Sequence, residues 1–186
     1  MKRINKKNIN TPDYWNVHPT TEEFGLRHEK YFEIAGNGER IIDLGCGKAP
    51  FLDIVRRRFK ESWGLDYSPE TLKYNRQKFP AINYIEGDAQ NTLFRDDCFD
   101  VVVAGEIIEH MENPIILLKE MLRICKPNGK LILSTAIMEY NDPEHIWEFN
   151  TKDFKEWGFT VEMIRSERFP GRSYIFAYGR KSDLSI

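Results

Sequence analysis

Short apolar runs alternate with amphipathic stretches along the middle of the chain. Arg40-Ile41-Ile42-Asp43-Leu44 is an apolar run carrying one acid, and Gly45-Cys46-Gly47 closes it. Phe51, Leu52, Ile54, Val55 and Phe59 then recur at helical spacing, which predicts a buried strand, a tight turn and a helix over 50–60. Ser62-Trp63-Gly64-Leu65-Asp66 predicts a second strand that ends in an acid. Ser68-Pro69-Glu70 predicts a helix start, with Ser as N-cap and Pro in the first turn, and Pro80 stops that helix. Residues 82–85 and 99–104 predict two more strands. Val101-Val102-Val103 makes the second of these β-branched at its centre and so buried on both faces. Asn113-Pro114 opens an amphipathic helix through Leu117, Leu118, Met121 and Ile124, and residues 130–135 predict a fifth strand.

Beyond Thr135 the pattern changes. Residues 151–157 predict a short helix, and 158–169 and 173–179 alternate as two strands around Pro170-Gly171. That is an antiparallel hairpin closing an otherwise parallel sheet. At the other end, residues 1–19 are polar with Pro12 and Pro19 and read as a mobile arm, where Tyr14-Trp15 packs on the domain surface or serves as a lid. Residues 20–35 predict a helix that Gly36 and Gly38 end. The expectation is an α/β fold in one domain, residues 20–186, behind an N-terminal arm.

Composition narrows the function classes. A chain of 186 residues with 41% hydrophobic and 30% charged residues suits one soluble globular domain. The formal net charge of −2 gives no global basic footprint of the kind nucleic-acid binders show. The basic start Met1-Lys2-Arg3 is followed by no apolar run, so it does not read as a signal peptide. No stretch approaches the ~18 apolar residues of a membrane span. Cys46, Cys98 and Cys125 are too scattered for a disulfide framework, and a reduced, cytoplasmic protein is expected.

The candidate chemistry sits at the ends of the strands, where open α/β sheets bind ligands. Gly45 and Gly47 give close backbone access. Asp66 follows Gly45 by 21 residues, near the spacing at which an acid meets ribose hydroxyls in dinucleotide folds. A nicotinamide-binding loop would want a third glycine where Pro50 stands. Asp88-Ala89 follows the third strand and Gly105 ends the fourth. Each acid alone can equally be a turn-forming Asp.

In this order and spacing, the stretch from Arg40 to Pro50 resembles motif I of the class I S-adenosylmethionine-dependent methyltransferases, with Ala49 where that pattern usually has glycine. The resemblance implies a Rossmann-like seven-stranded sheet, mostly parallel, with an antiparallel last strand and helices on both faces. It implies S-adenosylmethionine as cofactor. Gly45 and Gly47 would meet its amino acid end, with Asp43 orienting the loop or meeting the ammonium, Asp66 would meet its ribose, and Tyr67, Asp88 and Ala89 its adenine; Gly105 is a further cofactor-binding position. Arg27, on the N-terminal helix, stands where related enzymes approach the cofactor carboxylate.

Gly105-Glu106-Ile107-Ile108-Glu109-His110 is the most particular stretch. Glu106 and Glu109 are three apart and would share a face on a helical turn, with His110 beside them and His145 downstream. Two carboxylates and two imidazoles suit a divalent cation. The set is similar to that of small-RNA 3′-terminal 2′-O-methyltransferases and of ubiquinone-biosynthesis O-methyltransferases, which implies Mg²⁺ or Mn²⁺ at Glu106, Glu109, His110 and His145. Internal hydrogen bonding of the same residues is the plainer reading. Without metal, His110 or His145 serves as general base. The expected activity is methyl transfer to an oxygen of a small molecule. The alternatives are a ribose hydroxyl at an RNA end, or a cofactor-binding accessory subunit.

Overall fold

A computed structural model describes residues 1–3, 24–138, 145–165 and 172–186. Its strands, in chain order, are β1 (Lys2–Arg3), β2 (Gly38–Leu44), β3 (Phe59–Asp66), β4 (Asn83–Glu86), β5 (Phe99–Gly105), β6 (Cys125–Met138), β7 (Trp147–Glu148), β8 (Thr160–Arg165) and β9 (Arg172–Arg180). Seven of them form one sheet in the order β4-β3-β2-β5-β6-β9-β8. β2 to β6 pair in parallel, and β9 is antiparallel to both its neighbours. The sheet is the one the resemblance implies.

Alternation along the strands divides the core in two. Ile42, Leu44, Val102 and Ala104 face a layer that α4 (Pro114–Ile124) and α5 (Thr151–Glu156) complete with Leu117, Leu118, Met121 and Phe154. Ile41, Val101 and Val103 face the opposite layer, built by α1 (Phe24–Ala35), α2 (Pro50–Val55) and α3 (Pro69–Lys78) through Tyr31, Phe51, Leu52 and Leu72. The caps form as the sequence predicts. Ser68 accepts from the Thr71 N–H at 3.2 Å, and Asn113 accepts from the Ile115 N–H at 3.1 Å.

Three elements differ from expectation. The helix expected to reach residue 60 stops at Val55, and β3 already begins at Phe59. Phe59 pairs with Gly38 and its ring fills the space of the missing side chain, 3.1 Å from where a Cβ would stand, so sheet pairing overrides helical periodicity. β6 extends from Cys125 to Met138 rather than over 130–135. Finally, the first residues are strand rather than mobile arm: Lys2 and Arg3 pair antiparallel with Glu148 and Trp147, and Arg3 meets Glu112 at 3.0 Å. Tyr14, Trp15 and His18 lie outside the described residues. No helix among the described residues is long and apolar enough to cross a membrane.

Candidate active site

The turn after β2 is held from below by β3 and α3. The N–H groups of Gly45 and Cys46 donate to the Leu65 carbonyl at 2.8 and 3.0 Å. Gly47 N–H donates to Asp66 Oδ2 at 2.9 Å, and the Asn75 amide donates to the Gly47 carbonyl at 2.7 Å. Gly45 has φ +71°, and a Cβ there would also come within 2.6 Å of Ile107 Cδ1. Glycine is required at 45 by both backbone and packing. Ala49 takes the same left-handed region, φ 54°, at the start of α2, a conformation that costs an L-residue about 1–2 kcal/mol.

Asp66 is buried at the end of β3 and its other oxygen, Oδ1, accepts from the Ser68 N–H at 2.9 Å. Burial raises its carboxyl, and the backbone donors of Ser68, Gly47 and Tyr67 oppose that rise. The carboxylate keeps acceptor capacity for a ligand hydroxyl. Asp43 lies beside it, also buried; burial and then the Asp66 charge push its carboxyl up to about 8. Such a group invites a cationic partner. Next in the row, Asp88 is exposed, and its Oδ1 accepts from the Gln90 N–H at 2.8 Å, so it forms a turn, one of the two readings open for it, and leaves its other oxygen to a ligand. Ala89 is buried and Tyr67 is exposed.

At the end of β5 the two glutamates part company. Glu106 N–H still donates to the Ser134 carbonyl at 3.1 Å, which continues the strand pairing, and its φ of 56° then turns the chain. The 3-10 turn Ile108–His110 begins only two residues later. Glu106 and Glu109 therefore share no helical face. Glu106 Oε1 accepts from the Ser134 hydroxyl, which itself accepts from Tyr31, and Glu106 Oε2 meets Arg27 Nη1 at 3.3 Å. The Arg27 guanidinium lies 4.7 Å from the centre of the Tyr174 ring.

Glu109, by contrast, is only 1% exposed and neither of its oxygens has a hydrogen-bond partner of good geometry. Burial pushes its carboxyl well above the usual range, and the Glu106 charge adds to the rise. The Thr135 hydroxyl and the N–H groups of Glu109 and Ala136 act in the opposite direction. His145 Nε2 lies 4.0 Å from Glu109 Oε1, and the His110 and His145 rings stand edge to face with centroids 5.0 Å apart. One ligand atom from each of Glu109, His110 and His145 falls within 4.8 Å of the others. Ligands of a single ion are typically about 3 to 3.5 Å apart, so small side-chain rotations close the gap. The Ile146 N–H donates to the Glu109 carbonyl and the Trp147 indole N–H to the Met111 carbonyl, each at 2.9 Å, which brings His145 to this place.

The family model described as "Methyltransferase domain" matches residues 42–133, from β2 to β6. The chain belongs to the class I S-adenosylmethionine-dependent methyltransferases. This methyltransferase is 28% identical over 166 residues to a demethylmenaquinone methyltransferase of Lysinibacillus sphaericus, a match covering 79% of this chain and 70% of the relative. It is 32% identical over 119 residues to a ubiquinone biosynthesis O-methyltransferase of Maricaulis maris, covering 61% and 45%. The chain spans less than half the length of several of its curated relatives. In fold it is similar to a SAM-dependent methyltransferase from Aquifex aeolicus, with TM-score 0.68, 16% identity, and 90% and 98% of the two chains covered.

Within the methyltransferase, the structure brings together Asp43, Gly45, Gly47 and Asp66 as the sequence predicts. It gathers Glu109, His110 and His145 as well. Glu106, expected in the same ligand set, stands outside it, because Arg27 and Ser134 occupy its carboxylate. Sequence reasoning missed Tyr31 and Asn75. An aromatic and an amide on amphipathic helices carry no local mark of where their polar atoms end.

Proposed function

We propose that this chain transfers a methyl group to an oxygen of a small-molecule acceptor, with a divalent cation held by Glu109, His110 and His145. The observation that carries the acceptor site is the buried, unsatisfied Glu109 carboxylate facing two imidazoles at the sheet edge where the glycine loop ends. Leaving a buried carboxylate without a well-formed hydrogen bond is costly, and a cation removes that cost. The donor set of one carboxylate and two imidazoles fits such an ion.

Bound S-adenosylmethionine supplies a methyl already activated by its sulfonium, so the chain's part is to position and desolvate. Asp66 accepts from the ribose hydroxyls with its remaining lone pairs, and ionised Asp43 faces the ammonium group. Gly45 and Gly47 let the backbone approach, with Gly105 at the far wall. Asp88 accepts from the adenine amino group and Ala89 donates its N–H to the ring, over the surface of Tyr67. A divalent ion bound there would supply Lewis acidity towards the acceptor oxygen. Glu109, His110 and His145 would hold it; without it, an imidazole nitrogen of His110 or His145 takes the hydroxyl proton.

An oxygen acceptor is supported by the relatives named as O-methyltransferases. The net charge of −2 speaks against an RNA end, and a constellation assembled within one chain speaks against an accessory subunit.

Calorimetric titration of S-adenosylmethionine, with and without Mg²⁺ or Mn²⁺, tests this reading on wild type and Asp66→Ala. Micromolar binding that Asp66→Ala abolishes supports it. No binding to wild type under any condition sinks it.

A further inference from the structure

Two glutamates stand at the same sheet edge in opposite states. Both oxygens of Glu106 are engaged, one by the Ser134 hydroxyl and one by Arg27, whereas neither oxygen of Glu109 has a hydrogen-bond partner of good geometry. The arrangement around Glu106 is tightly built. Tyr31 holds Ser134, and its hydroxyl fills the place a Cβ on Gly105 would take. Arg27 is only 8% exposed, a cation placed in the interior beside this carboxylate. Glu106 also sits at φ 56°, a conformation that persists only where the surroundings enforce it.

We infer that Arg27 is a positioning residue that withholds Glu106 from the cation site and thereby selects the ion. This rests on the cation reading above. With Glu106 neutralised by Arg27, the site offers one carboxylate and two imidazoles. Imidazole suits first-row transition ions, while Mg²⁺ favours carboxylate and water oxygens in a near-ideal octahedron. A site with both glutamates would accept Mg²⁺ readily; the site as built prefers a nitrogen-seeking ion such as Co²⁺ or Zn²⁺. Removing the guanidinium frees Glu106 to turn towards the ion and moves the preference back to Mg²⁺.

The test is titration of Co²⁺ and of Mg²⁺ into the protein, read by calorimetry and, for Co²⁺, by its visible absorption bands. Wild type is expected to bind Co²⁺ at least 100-fold more tightly than Mg²⁺. Glu109→Gln should abolish Co²⁺ binding, and Glu106→Gln should change it less than about threefold. Arg27→Met should tighten Mg²⁺ at least tenfold. Adding Glu106→Gln to Arg27→Met should reverse that gain, and Arg27→Lys, which keeps the charge, should show little of it. If Co²⁺ binds but Glu106→Gln weakens it as severely as Glu109→Gln, Glu106 is already a ligand and the inference about Arg27 fails alone. Failure of Arg27→Met to tighten Mg²⁺ in the folded variant also overturns it. If neither ion binds wild type, or Glu109→Gln leaves Co²⁺ binding intact, the cation reading falls and the inference with it. The Glu106→Gln comparison decides the matter even if Arg27→Met does not fold.

Discussion

Single residues at the strand ends carry consequences that can be measured separately. The carboxyl of Asp43 titrates near pH 8 in the folded protein against 3.8 for an unperturbed Asp, so over that window the folded state holds a proton the unfolded chain has lost. Stability from this group is therefore highest at low pH and declines as pH rises from about 4 to about 8. Asp43→Asn should remove that decline. Thermal melts of both proteins from pH 5 to 8.5 should diverge, the variant gaining as pH rises; parallel curves would contradict the burial argument. Because an ammonium needs the ionised form, S-adenosylmethionine affinity should increase through pH 8 in wild type and show no such rise in Asp43→Asn. At Gly105 the argument is steric. A methyl there meets the Tyr31 hydroxyl, and Gly105→Ala should cost about 1–3 kcal/mol as overpacking does. Combining it with Tyr31→Phe should recover part of that loss in a denaturation cycle, and an additive result would show that the two do not touch.

The elements are fixed largely by their ends. α3 and α4 each begin with a side-chain cap and a proline, and α5 with a reciprocal pair: Asn150 accepts from the Asp153 N–H while the Asp153 carboxylate accepts from the Asn150 N–H at 2.9 Å. Ser68→Ala should lower stability by about 1 kcal/mol, the usual worth of such a cap. The segment carrying His145 depends on different contacts. Trp147 ties it to the Met111 carbonyl, while β1 pairs along it and Arg3 reaches Glu112. Trp147→Phe leaves that carbonyl without its donor, which should cost about 1–3 kcal/mol and speed hydrogen exchange at the Ile146 amide. Unchanged exchange there would mean that β1 alone holds the segment. The helix starts were legible because a cap, a proline and an apolar period are all local. The start of β3 was not, because Phe59 continues a helical period and is claimed instead by its partner Gly38 across the sheet.

For the molecule as a whole, two apolar layers clamp one sheet, and a fully buried ring such as Phe154 serves the layer under α4 and α5. Phe154→Ala should cost about 3–5 kcal/mol in urea unfolding, the range for emptying a ring from a packed core. The succession of elements, the glycine turn and the acid that ends the second strand all followed from the sequence by itself, since hydrophobic period marks each element; the seven-stranded sheet and the place of Asp43 followed from the family resemblance. The sequence also determined that two glutamates and two histidines would stand at one edge of the sheet. Only the tertiary structure decided how they divide. Whether Glu106 meets an ion or Arg27 depends on α1 docking beside β5 and β6, and on the positive φ that the strand end imposes. Neither is written in the three-residue spacing that makes the two glutamates look alike. A period in sequence says which face a residue shares along a continuous element; once the element breaks, as it does at Ile107, partners are set by whatever other segments the fold brings alongside.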